Sequence, residues 1–130
     1  MKNKYRVAPV FQRTWNGRVY ASKSEMRYAQ ELQDRVSFGG VAWWIEQPLF
    51  RLGCPENTYR PDFLVAHING LIEAVDVKGV RTAAFKKNMK LWIAYAPIPL
   101  RVVTPKGKNW SDEWIYPISM KNRSSASEIR

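Results

Sequence analysis

The chain of 130 residues contains a single cysteine, Cys54, and a single histidine, His67. One cysteine forms no intrachain disulfide, which fits a reducing compartment. With one residue of each kind, a structural zinc site built from several Cys and His ligands is excluded within one chain. Nucleases that rely on several histidines are excluded too. A Cys/His pair or a Ser/His/Asp triad would have to use His67. Acidic residues are scarce: 11 Asp and Glu stand against 21 Lys and Arg, a formal net charge of +10. Long apolar runs are missing as well. Val41–Ile45 and Leu91–Ala96 are the longest, far short of a membrane span. Met1 to Val10 is basic with no apolar stretch behind it, so it does not read as a secretory signal.

What is present suffices for one packed domain. Hydrophobic residues make up 45% and aromatics 13%, enough for a core and too many for disorder. Carboxylates, lysines and a hard metal held by oxygen ligands remain available for catalysis. A basic chain that must use carboxylates for chemistry suggests a polyanionic substrate cut with metal help.

Local signals give an element order. Trp15-Asn16-Gly17-Arg18 predicts a type I′ hairpin, because Asn-Gly accepts φ > 0 at both central positions. Ser22-Lys23-Ser24-Glu25 is a capping box that opens a helix to about Val36, before Gly39-Gly40. Val41–Leu52 reads as a strand bent at Pro48. Thr58–Ile68 and Leu71–Lys78 read as strands joined at Asn69-Gly70. Thr82 caps a second helix to about Tyr95, and Pro97 and Pro99 stop it. Leu100–Thr104 is a short strand, Pro105–Asn109 a basic loop, and Trp110–Ile118 apolar without a clear period. The expected fold is α/β, one mixed sheet flanked by helices in the order hairpin-α-β-β-β-α-β. Residues 1–119 form a single domain, and the polar, Ser-rich stretch 120–130 is expected to be a flexible tail.

Chemistry concentrates on the paired strands. Alternation puts Asp76 and Lys78 on one strand face with Ala74 and Ile72, while Val75 and Val77 face the other way. An acid and a lysine at the end of a buried strand are costly without a role. The aspartate can hold a divalent ion, and the lysine can orient water or stabilise phosphate charge. Asp62, after Pro61, brings a second carboxylate to the neighbouring strand. A clean two-residue loop at Asn69-Gly70 would set Phe63 opposite Asp76 and split the two aspartates between faces. A shared site therefore requires an odd-length loop, a bulge or a bend at Pro61-Asp62.

Glu25 is the third carboxylate. A helical wheel places it in the apolar stripe with Tyr28, Ala29, Leu32 and Val36, although it also fills the last position of the capping box. Glu46 or Gln47 interrupts an apolar strand and can face the same cleft. Glu73 lies on the other strand face, outside the site. On the second helix, Phe85, Met89, Trp92, Ile93 and Ala96 form an apolar stripe opposite Lys86, Lys87 and Lys90. These lysines and Arg81 are candidates for phosphate contacts, with weaker claims for Lys106, Lys108, Lys2, Lys4 and Arg6. Trp43, Trp44, Trp92, Trp110 and Trp114 are expected in the core, and Trp15 exposed. His67 reads as structural or exposed. Cys54 has no basic partner and is not expected to act as a nucleophile.

Glu25 on the first helix, Pro61-Asp62, and Asp76-Val77-Lys78 together resemble the PD-(D/E)xK nuclease superfamily, the fold of many restriction enzymes and Holliday-junction resolvases. The resemblance covers about residues 18–104. With Glu46-Gln47-Pro48 and Gly79, it is similar to small phage-encoded endonucleases and to endonuclease subunits of heteromeric transposases. It implies a restriction-endonuclease-like core. It implies that Asp62, Asp76 and the Val77 carbonyl bind Mg²⁺, with Mn²⁺ able to substitute. Glu25 would complete the shell directly or through water, and Lys78 would position or activate the attacking water. Gln47, Arg81, Lys86, Lys87 and Lys90 would be possible substrate contacts.

The expected activity is metal-dependent endonucleolytic cleavage of DNA, structure-selective for branched DNA or Holliday junctions, in the cytoplasm (of a host cell if phage-encoded). A homodimer would suit a two-fold junction. The competing expectations are a nuclease subunit of a transposase or restriction system, and a non-catalytic nucleic-acid-binding protein.

Overall fold

The computed structural model describes residues 7–120. After a 3₁₀ turn at Val10–Arg13, β1 (Thr14–Trp15) and β2 (Arg18–Val19) form the expected hairpin. Its turn residues Asn16 and Gly17 have φ of +52° and +76°, as type I′ demands. Helix α1 (Lys23–Phe38) starts at Ser22, whose Oγ accepts from Glu25 N at 3.1 Å. It runs two residues past Val36 to Gly39, where φ is +103°.

Strand β3 (Val41–Glu46) stops before Pro48, and Gln47 turns the chain at a φ of +50°. The chain then leaves the sheet. β4 (Phe50–Arg51) and β5 (Thr58–Tyr59) form a separate two-stranded ladder, and the chain returns as β6 (Phe63–His67). The single strand expected over Thr58–Ile68 is thus two, divided at Arg60-Pro61-Asp62, since Pro61 has no N–H for a ladder. β7 (Ile72–Val77), α2 (Ala83–Tyr95) and β8 (Leu100–Lys106) follow, with Thr82 Oγ1 accepting from Phe85 N at the start of α2.

The stretch without a clear period becomes β9 (Asn109–Ile115), paired along its whole length with β8. The expected loop at 105–109 is a two-residue turn, Gly107-Lys108, with Pro105 and Lys106 inside β8. Asp112 falls between Trp110 and Trp114 on one face, which blurs the alternation a strand would show.

The mixed sheet has the order β3-β6-β7-β8-β9, and only the β7–β8 pair is parallel. Helix α1 covers one face, packing Tyr28, Ala29 and Leu32 on Phe63, Val65, Val75 and Val103. Helix α2 covers the other, packing Phe85, Met89 and Trp92 on Ala74, Leu100 and Val102. Because α2 lies toward β7 and β8, the β3 end of that face is bare. Trp43 is therefore exposed rather than in the core. Trp15, expected outside, is half-buried against the α1-side core, with its ring 6.5 Å from that of Tyr20. Trp92 is fully buried, as expected. The stretch 121–130 and Lys2, Lys4 and Arg6 lie outside the described residues. Among the described residues, no helix is long and apolar enough to cross a membrane.

Candidate active site

Two aspartates meet because the β6–β7 loop has an odd length. The register pairs Phe63 with Val75 and Ala66 with Ile72. His67 N donates to Leu71 O at 2.8 Å, so the loop is Ile68-Asn69-Gly70, with Gly70 at a φ of +95°. The ladder ends at Phe63 and Val75, and one step beyond it Asp62 and Asp76 come together. Backbone amides lock the pair together. Asp62 N donates to Asp76 Oδ1 at 3.1 Å, and Val77 N donates to Asp62 Oδ2 at 2.8 Å.

Lys78 joins them, as its spacing from Asp76 requires. Its Nζ is 3.6 Å from Asp76 Oδ2 and 5.3 Å from the centre of the Phe85 ring. Glu25 gives its backbone N–H to the Ser22 cap, while its carboxylate feels Asp62, Lys78 and Asp76 across the end of the sheet. The cap uses the backbone of Glu25 and leaves its carboxylate near the two aspartates.

The electrostatics are those of a crowded anionic cluster. Burial, then the Asp62 charge, push the Glu25 carboxyl up to about 7, with Asp76 adding to the shift and Lys78 opposing it. Burial raises Asp76 to about 6 against the pull of Lys78 and the Asp62 amide. Asp62 is raised by burial too, against the Val77 amide and Lys78. Three carboxylates face one ammonium, so the ionised cluster lacks two positive charges.

The donor set fits a hard divalent cation: it is all oxygen and anionic, and its charge deficit equals the charge of one such ion. Among the described residues, no group of three or more His, Cys, Asp or Glu is gathered tightly enough to hold an ion by side chains alone. Asp62 and Asp76 are the pair that hydrogen bonds hold together, and Glu25 is near enough to feel both charges. A cleft of about 610 Å³ opens beside the cluster, lined by Ser22, Lys23, Glu25, Val77, Gly79 and Thr82.

The other candidates are distributed unevenly. Glu46 is engaged by Arg18 and by the Tyr20 hydroxyl at 2.9 Å, whereas Gln47 is exposed and shares a small recess with Glu25 and Asp62. Arg81 pairs with Glu113 at 2.5 Å. With Lys86 it lines a separate groove of about 470 Å³ between α2 and β9. Lys87 and Lys90 are exposed along α2. Lys106 and Lys108 gain position: β8 runs parallel to β7, so the β8–β9 turn projects from the same end of the sheet as Asp76 and Lys78.

His67 is structural, with Nε2 2.7 Å from Glu73 Oε2, and Cys54 is exposed in its loop. Sequence reasoning missed Tyr59, whose hydroxyl donates to Asp76 Oδ2 from the β4–β5 ladder. It also missed the Arg18–Glu46–Tyr20 cluster. Neither has a fixed spacing to the motif; each depends on how an excursion outside the sheet folds back.

A family model described as "Protein of unknown function (DUF1064)" matches residues 2–108, which include α1 through β8 and the whole carboxylate cluster. No curated protein and no solved structure matches the chain. The match spans most of the sequence, and the chain therefore belongs to the DUF1064 family of proteins of unknown function.

Proposed function

We propose that this protein is a metal-dependent DNA endonuclease of the PD-(D/E)xK type, acting on branched DNA. The observation that carries the reading is the hydrogen-bonded meeting of Asp62 and Asp76, with Lys78 beside Asp76 and Glu25 near enough to feel both charges. The order α1, three antiparallel strands, α2 and a parallel strand supports a restriction-endonuclease-like core.

Asp62 and Asp76, with the Val77 carbonyl, would hold Mg²⁺ or Mn²⁺, and Glu25 would act through water. When bound, the ion supplies Lewis acidity, offsetting phosphate charge and making water nucleophilic near neutral pH. Lys78 stands at the rim of the cluster, where its side chain would orient the attacking water and face the phosphate. Water oxygen attacks phosphorus and gives up a proton to solvent, and the bond to the 3′-oxygen breaks. The products are a 5′-phosphate and a 3′-hydroxyl, whose proton comes from solvent. Net charge of +10 draws the substrate in through its backbone. A domain of this size has little surface for base readout, which favours shape over sequence.

The test is a panel of linear duplex, single-stranded, flap and four-way-junction DNA with Mg²⁺. Branched substrates should be cut, chelation should stop cutting, and Asp76→Asn and Lys78→Ala should bind without cutting. Cutting that survives both substitutions removes this site. Binding without any cutting by the native chain selects a non-catalytic role, and cutting only with an added partner selects a nuclease subunit.

A further inference from the structure

Asp76 is held from outside the sheet to which it belongs. Between β3 and β6 the chain makes the β4–β5 excursion, and Tyr59 on β5 is buried there. The ladder is fixed to α2 by apolar contact. The Tyr59 ring stands edge-on to Trp92 with centroids 6.0 Å apart at 79°, and Phe50, its cross-strand partner, meets the same indole at 4.9 Å and 69°. A phenylalanine would fill that space equally well. The hydroxyl is the part that packing does not explain, and its partner is Asp76 Oδ2.

The other oxygen, Oδ1, accepts from Asp62 N at 3.1 Å. The carboxylate is therefore pinned at both ends, once by the neighbouring strand and once by the ladder. Without the hydroxyl, Oδ2 would keep only Lys78 at 3.6 Å, beyond hydrogen-bond distance. The carboxylate would then be held by a hydrogen bond at one end only, and Oδ2 would lose its fixed orientation.

We infer that Tyr59 is a positioning residue: its hydroxyl fixes the orientation in which Asp76 meets a divalent cation, and the β4–β5 ladder is the arm that delivers it. This inference rests on the metal-dependent reading above. Partners that hold a ligand from behind change metal affinity by about 10- to 100-fold when lost.

The test is Mn²⁺ binding to the full chain, followed by the electron paramagnetic resonance signal of free Mn²⁺, with circular dichroism and thermal melting as fold controls. Tyr59→Phe should weaken Mn²⁺ binding at least about tenfold while the fold stays intact. Native-like Mn²⁺ affinity in a folded Tyr59→Phe chain would overturn the inference, because a space-filling role alone predicts it. If that variant does not fold, Gly53→Ala replaces it. Gly53 lies in the ladder's loop at a φ of +89°, and an added Cβ would come within 2.6 Å of the Tyr95 ring on α2. An alanine is strained at that φ and its Cβ clashes, so the ladder shifts and carries the hydroxyl off Asp76, while Tyr59 and both aspartates remain in the sequence. Weaker Mn²⁺ binding supports the inference, and unchanged binding sinks it. Failure of the metal-dependent reading looks different: the native chain itself then binds no Mn²⁺.

Discussion

Strand β7 carries two carboxylates that are equally hidden, Glu73 and Asp76, each 1% exposed, on opposite faces of the sheet. Glu73 has cationic partners on both oxygens. Arg101 NH2 donates to Oε2 at 2.9 Å, and Arg101 Nε lies 2.8 Å from Oε1, close enough for ion pairing although its N–H points off the line. His67 Nε2 is 2.7 Å from Oε2. Arg101 is in turn covered by Trp114, whose ring centre is 4.3 Å away. Asp76 has the reverse surroundings: a phenol, a backbone amide, two more carboxylates and one lysine at 3.6 Å. A buried acid whose oxygens are all met by cations fastens the fold. A buried acid set among other acids carries charge that a proton or a bound cation relieves.

The largest expected effect comes from breaking the unbalanced end. Asp76→Asn keeps an oxygen for the Asp62 amide and removes a charge, so the fold should survive. Cleavage of a four-way junction should fall about a thousandfold, the size implied by losing several kcal/mol of charge stabilisation. Gel-shift binding of the same DNA should persist. Normal cutting by this variant would make Asp76 as structural as Glu73.

Breaking the balanced end should do the opposite. Arg101→Met leaves Glu73 buried with His67 alone, and loss of one partner of a buried pair costs about 3–5 kcal/mol. The unfolding free energy from urea titration should fall by that amount, with a lower midpoint, while the folded fraction still cuts. A variant as stable as the native chain would mean that the Glu73 network contributes nothing to the fold.

This contrast shows what the sequence could carry. Alternation alone assigned Asp76 and Lys78 to one face and Glu73 to the other, because strand side chains have a fixed period. Caps at Ser22 and Thr82 and the Asn16-Gly17 turn were legible because each is a short-range hydrogen-bond or φ requirement. The loop between β6 and β7 was legible only as a condition: the aspartates could share a face if its length was odd, and Ile68 makes it so. The Arg101–Glu73 pairing and the Tyr59–Asp76 contact were not legible, because they join residues 28 and 17 positions apart through strand order and an off-sheet ladder. Likewise Trp43 looked like core because it sits in an apolar run, and only the placement of α2 leaves it bare.

A smaller effect concerns the basic surface that serves the unbalanced end. Lys106 and Lys108 project from the same end of the sheet as the carboxylates, whereas Lys86 lines a separate groove and Lys87 and Lys90 follow α2. Double substitution of Lys106 and Lys108 by alanine should lower the slope of log affinity against log salt by roughly 0.9 per lysine. The triple change at Lys86, Lys87 and Lys90 should lower it less. The reverse order would move the DNA path from the β8–β9 turn to α2.

The smallest effect is a stability change that only the unbalanced end should show. Glu25 holds its proton more tightly folded than unfolded, since burial and Asp62 raise its pKa from 4.5 to about 7. Asp76 shifts in the same sense, to about 6. An acid with a raised folded pKa contributes stability that is complete below its unfolded pKa and is lost as pH rises through the folded one. The melting temperature of the metal-free protein should therefore fall by a few degrees between about pH 4.5 and pH 7 on this account. Glu25→Gln removes one of the repelling charges and should flatten that fall without touching the Glu73 network. Added Mg²⁺ should flatten it as well, by supplying the missing positive charge. Differential scanning fluorimetry across this range decides the point: a melting temperature that rises with pH in the native chain, and equally in Glu25→Gln, would mean that the cluster's charges are already balanced from within.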